Sequence, residues 1–129
     1  MRLQGSQAIG EAADAARHFG QAQRLAVYDQ TRLCIVIEEL VANLYDHGGV
    51  TEGDEIMLAL GRDPRGVRIS IKDPGIAFDP WSAPQTTDSL DPGGGAGIRL
   101  IQAWGERIGY RSSNEGNCLE ILLPIRRPG

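Results

Sequence analysis

A chain of 129 residues is about the modal size of one domain, and at that length it buries roughly two thirds of its unfolded surface. Hydrophobic residues at 41% and charged residues at 23% make it globular rather than disordered. A net charge of -4 argues against direct nucleic-acid binding, which needs basic surface against phosphates. No apolar run approaches the ~20 residues of a membrane helix, and Glu11 and Asp14 break up any secretory signal. Cys34 and Cys118, with no CxxC, read as small buried hydrophobes in a reducing compartment. The expectation is a cytoplasmic single domain, 1–129, with no membrane contact.

In chain order, residues 6–19 predict a first helix. Ile9, Ala12, Ala13, Ala16 and Phe19 share a face, and Gly20 is a stop. A second helix is expected over 29–47, with Leu33, Val36, Ile37, Leu40 and Leu44 as its apolar stripe and Gly48-Gly49 ending it. Residues 55–60 and 67–73 alternate as strands, joined by a turn at Asp63-Pro64-Arg65-Gly66. Residues 74–97 form a long Pro/Gly-rich segment, of a length that compact domains keep for function. A short helix over 97–104 follows. A second hairpin, 107–113 and 118–125, turns at Asn114-Glu115-Gly116-Asn117. Strict alternation means that the sheet is covered on one side. The fold class is therefore α+β: a two-layer sandwich of a largely antiparallel or mixed sheet with helices on one face.

Three features carry chemistry. On the second helix Glu39 and Asn43 are i, i+4 neighbours on the flank of the apolar stripe, with Asp46 nearby. A carboxylate beside an amide oxygen suits a hard cation and an activated hydroxyl; a solvated helix edge is the plainer reading. Asp73 has inward parity, where a carboxylate is costly without a donor. It either accepts a ligand N–H or begins the Pro74-Gly75 turn by bonding its own downstream amides. Gly93-Gly94-Gly95-Ala96-Gly97 leads into a helix, where exposed amides favour phosphate, although such runs are common. No Lys-Ser or Lys-Thr makes it a Walker A. Arg99 is either a phosphate partner or a solvated residue. His47 reads as a hydrogen-bonded boundary residue, and Trp81 and Trp104 as lid or partner packing.

Taken in order, these segments resemble a known superfamily. E-E-L-V-A-N-L-Y-D-H-G (38–48) looks like the N box of the gyrase, histidine-kinase and MutL (GHKL) ATP-binding superfamily. D-P-G-I-A-F (73–78) resembles its G1 box, and G-G-A-G-I-R-L-I (94–101) its G2 box. The resemblance covers about residues 30–125 and is closest to the anti-sigma-factor serine kinases, the RsbW-like group. It implies a Bergerat-type fold that takes ATP and Mg²⁺. Asn43 would hold the metal against the phosphates, and Glu39 would be the general base. Asp73 would accept from the adenine amino group, and Gly75 would admit the base. Gly94, Gly95 and Gly97 would form the lid, with Phe78, Ile98 and Arg99 completing the binding set. The stretch 80–95 would order on nucleotide binding. Many members carry Thr or Ser near the start of the last strand. Here the match is Cys118, a poor hydrogen-bonding partner.

The activity so implied is a serine/threonine protein kinase that phosphorylates a STAS-type anti-anti-sigma protein, sequesters a sigma factor or similar target, and possesses the family's tendency to homodimerise. The alternative is a nucleotide-binding interaction module without turnover. A detached sensor-kinase ATP domain is disfavoured, because no phosphoacceptor hairpin fits in this length. A structural domain needs all three features to be coincidental.

Overall fold

The computed structural model describes residues 1–82 and 96–125. Five strands, β1 (Arg2–Gln4), β2 (Glu55–Asp63), β3 (Gly66–Asp73), β4 (Glu106–Ser113) and β5 (Gly116–Pro124), form one sheet in the order β1-β2-β3-β5-β4. Every pairing is antiparallel. Three α-helices make the second layer: α1 (Ala8–Ala22), α2 (Val27–Asp46) and α3 (Ala96–Trp104). The expected two-layer α+β sandwich is present, with a purely antiparallel sheet. Among the described residues, no helix is long and apolar enough to cross a membrane.

The core forms where the α2 stripe meets the inward face of the sheet. Leu33, Val36, Ile37 and Leu40 from α2 cluster with Ile56, Ile69, Ile71, Leu119, Ile121 and Leu123 from the strands. Apolar residues spaced 3.6 apart on a helix and 2 apart on a strand present matching faces. Leu122 points to the opposite face, yet it too is buried. Its register neighbours are Arg68 and Glu106, whose long stems can cover it.

Three departures from the sequence reading have physical causes. The strand β1 was not expected: it is three residues long, and one inward residue, Leu3, gives no periodicity to read. Gly20 does not stop α1, which runs on to Ala22. Gly20 lies on the buried Ala8-Ala12-Ala16 face, and an added Cβ would come within 2.9 Å of Gln30 Cγ, so it serves close helix packing. The actual cap is a Schellman motif. Leu25 N–H bonds to Gly20 O at 2.9 Å and Arg24 N–H to Gln21 O at 3.1 Å, with Arg24 in the left-handed region at φ 55. Finally, β5 begins at Gly116 rather than 118, which brings Asn117 out of the turn and into the sheet.

Candidate functional site

The C-terminal half of α2 carries Glu39 and Asn43 to one end of the sheet. Asn43 is 4% exposed, and its Nδ2 has no hydrogen-bond partner. Leaving a buried donor unpaired costs about 1–3 kcal/mol, and a ligand acceptor would remove that cost. Glu39, one turn earlier, is half-buried. Burial lifts its pKa above the ordinary carboxylate range, and the charges of Glu38 and Asp46 push it the same way. Its carboxylate lies against the start of α3. A Cβ added at Gly97 would overlap Oε2 and stand 2.7 Å from Cδ. Gly97 is thus the residue that lets α3 approach the Glu39 carboxylate.

Asp73 ends β3 and is buried. Gly75 N–H donates to its Oδ1 at 2.9 Å, and Asn117 Nδ2 donates to the same oxygen at 3.1 Å. Asp73 thus bonds its own downstream amide, as the turn reading expects, and it also lines a cleft. Burial raises its pKa, the bonds from Asn117 and Gly75 hold it down, and Asp54 adds to the rise.

Gly75 meets a constraint that the sequence reading did not foresee. An added Cβ would collide with Gly48 O and lie 3.0 Å from Val50 Cγ2, while Ile76 N–H bonds Gly48 O at 2.8 Å. Gly75 is needed for the loop to close on the end of α2, whatever else it admits.

Asn43, Asp73, Phe78, Pro80 and Tyr110 line one cleft between α2 and the sheet, together with Leu40, Leu44, Ile71 and Leu119. It encloses about 10 Å³, about the room of one water. Phe78 and Pro80 close it. Phe78 N–H bonds Tyr110 Oη at 2.9 Å, and Gln102 Nε2 bonds Pro80 O at 2.8 Å. Asp79 pairs with Arg107.

Of the other predicted site residues, Ile98 is half-buried and Arg99 exposed at the start of α3, while Gly94 and Gly95 lie outside the described residues. His47 is exposed and stacks on Phe78, centroids 5.4 Å apart; among the described residues its side chain is held by this ring contact and not by the hydrogen bond that was expected. Trp81 and Trp104 pack against the protein's own core, and Arg32 lies over the Trp104 ring.

Cys118 must also be corrected. It is in register with Lys72 and Arg111, on the face away from the cleft. The inward neighbour of Asp73 is Asn117, which the sequence reading placed in a turn. The two-residue error in the start of β5 is the whole reason that it was missed.

Among the described residues no group of three His, Cys, Asp or Glu could hold a metal. The donor set fits a cation that brings most of its own ligands. Mg²⁺ commonly keeps waters and phosphate oxygens and takes one or two protein oxygens, and Asn43 offers one beside its unsatisfied Nδ2.

Residues 6–123 match the model of the histidine kinase-like ATPase domain. The chain belongs to this family. As a histidine kinase-like ATPase domain it is an ATP-binding module of the GHKL kind, which is the coarser part of the sequence expectation. Among solved structures it resembles the blue-light activated histidine kinase of Erythrobacter litoralis EL346, at 17% identity and a TM-score of 0.55, with 93% of this chain and 41% of that chain covered. It also resembles the histidine kinase domain of the same protein, at 16% identity and a TM-score of 0.54, with 91% and 59% covered. At those identities the likeness shows the fold alone. The chain spans 41% and 59% of those two chains. It has no significant match among curated proteins.

Proposed function

We propose that this histidine kinase-like ATPase domain is an ATP-dependent serine/threonine protein kinase of the anti-sigma type. It would phosphorylate a serine of a STAS-type antagonist and hold a sigma factor or similar regulator until that exchange of partners. The observation that carries the reading is the pair on α2: a carboxylate held above its ordinary pKa, one turn before a buried, unsatisfied asparagine.

Phosphoryl transfer asks the protein for positioning, charge stabilisation and one base. The acceptor serine Oγ would form a bond to the γ-phosphorus as the bond from that phosphorus to the β-phosphate bridging oxygen breaks, leaving ADP. Glu39 would take the hydroxyl proton. Its raised pKa brings it nearer to working pH, where a base is most effective. Asn43 would orient the phosphates, and Mg²⁺ bound there would supply charge neutralisation. Asp73 would accept from the base, in a loop that Gly75 lets close on α2. The half-buried end of α3, admitted by Gly97, would bring backbone N–H groups toward the phosphates.

Glu39→Gln tests this. It is expected to abolish transfer of labelled phosphate to a STAS-domain acceptor while ADP binding persists. If transfer and ADP binding both survive the substitution, Glu39 is not the base. A domain that binds ADP, captures its partner and never transfers phosphate would be the interaction module instead.

A further inference from the structure

The face of the sheet turned away from the helices carries one row unlike the rest. Strand pairing sets Arg2 opposite Met57, Met57 opposite Lys72, Lys72 opposite Cys118 and Cys118 opposite Arg111. Residues directly opposite share a face, so these side chains form a line that crosses every strand in the order β1-β2-β3-β5-β4. Their chain neighbours Leu3, Ile56, Ile71 and Leu119 are in the core, which fixes the row to the outer face. Cations stand on the two edge strands and the central one, with a sulfur side chain between each pair. Arg2, Met57, Lys72 and Arg111 are exposed, and Cys118 is half-buried. The row holds no carboxylate, although the chain has a net charge of -4. Arg2 reaches Glu55 at 3.6 Å; among the described residues Lys72 and Arg111 form no ion pair. Met57, Lys72, Cys118 and Arg111 line one groove of about 700 Å³, which Glu55 and Glu115 also border.

Neighbouring strands lie about 4.8 Å apart, so cations on alternate strands recur about every 9.6 Å. An α-helix presents residues one heptad apart on the same face, about 10.5 Å along its axis. The long Lys and Arg stems absorb the difference. We propose that this row is a docking surface for an acidic amphipathic helix of a partner protein, laid across the strands. Its carboxylates, one heptad apart, meet Arg2, Lys72 and Arg111, and apolar residues midway between them cover Met57 and Cys118. Charge complementarity selects this occupant and sets its register. A second copy stacked row on row would set cations against cations. Lys72 and Cys118 point away from the cleft that Asp73 lines, so the surface does not depend on the nucleotide reading.

The test uses the whole domain and two fluorescein-labelled helical peptides of about 20 residues, long enough to hold a helix, with the same composition. One has glutamates a heptad apart with leucines midway; in the other the glutamates are clustered at one end. Fluorescence anisotropy is expected to show the heptad peptide binding about fivefold or more tightly than the clustered one, the upper end of one exposed ion pair. Its affinity should fall as salt shortens the screening length. Lys72→Glu is expected to weaken it about tenfold, since an attraction becomes a repulsion. Arg68→Glu makes the same change of charge on the same face, but two rows away beside Asp63, and should leave binding within about twofold. Both positions are exposed, and melting temperatures check that the variants fold; Lys72→Gln, with a smaller loss, replaces Lys72→Glu if that variant does not. The bound peptide should also slow alkylation of Cys118 by iodoacetamide and leave that of Cys34, on α2, unchanged. Equal affinity for the two peptides, equal losses in Lys72→Glu and Arg68→Glu, or no binding at millimolar peptide would overturn the inference. Phosphatidylserine vesicles that bind the row when the peptide does not would make it a membrane contact and overturn it too. A dimer of the domain that Lys72→Glu dissociates, with no peptide bound, would make it a contact between copies, with the same result.

Discussion

Asn43→Ala separates the site from the core beneath it. Truncating a well-packed buried side chain to alanine usually costs about 2 kcal/mol or more. At Asn43 the lost packing is set against the removal of an unpaired buried donor, whose burial costs about 1–3 kcal/mol. The net change without ligand is expected to stay within about 1 kcal/mol of zero. Unfolding entropy of about 2.1 cal/mol/K per residue gives about 0.27 kcal/mol/K for this chain, so the melting temperature should move by less than about 4 °C. Mg-ADP at about 100 times its Kd adds about 2.7 kcal/mol, or about 10 °C on the same entropy. That shift should be present in the unsubstituted domain, depend on Mg²⁺, and lose its Mg²⁺ dependence in Asn43→Ala. Differential scanning calorimetry with ADP, with and without Mg²⁺, reads all of these. Destabilisation of Asn43→Ala by more than about 3 kcal/mol, with the Mg-ADP shift intact, would show that Asn43 is a core residue satisfied by the fold, and would refute the reasoning.

Gly97→Ala should split activity from stability. The added methyl displaces the Glu39 carboxylate, and a misplacement of about 1 Å can cost about 100-fold in rate, while alanine is the better helix former. Single-turnover conversion of labelled ATP should slow strongly at an unchanged or higher melting temperature. The raised pKa of Glu39 means that the folded state binds that proton more tightly than the unfolded state, so stability is lost as pH rises between the two pKa values. Glu39→Gln should therefore be more stable than the parent at neutral pH, and urea titrations should show the difference vanishing below the ordinary glutamate range. The same shift should raise the acid limb of the rate profile. Arg24→Gly should stabilise by up to about 1 kcal/mol, since Arg24 caps α1 in a left-handed conformation that glycine adopts freely; a lower melting temperature would contradict this.

The layers, the helix stripes and the two hairpins were legible because 3.6- and 2-residue periods survive in sequence wherever one face is buried. Glu39 and Asn43 stood out as polar neighbours one turn apart on the flank of an apolar stripe, and Asp73 as a carboxylate at an inward strand position. What stayed hidden was set across space. Asn117 looks like a turn residue beside Asn114 and Gly116, and only the register with β3 turns it toward Asp73. Gly97 and Gly75 carry no mark of which atoms crowd them; one abuts a carboxylate on α2 and the other a carbonyl at its end. Gly20 looked like a stop because a glycine at a helix end and a glycine at a helix crossing are the same letter.

The narrow cleft between α2 and the sheet has a kinetic consequence. A purine seated between α2 and the sheet would need more than the about 10 Å³ enclosed there, so Phe78 and Pro80 would have to move to admit it. Were the closed arrangement the dominant one without ligand, the measured affinity would be the intrinsic one reduced by the population of the open form. Uptake of nucleotide would rise with concentration only at first. It would then level off at the rate at which the Tyr110–Phe78 and Gln102–Pro80 bonds let go, so the protein, and not diffusion, sets the pace.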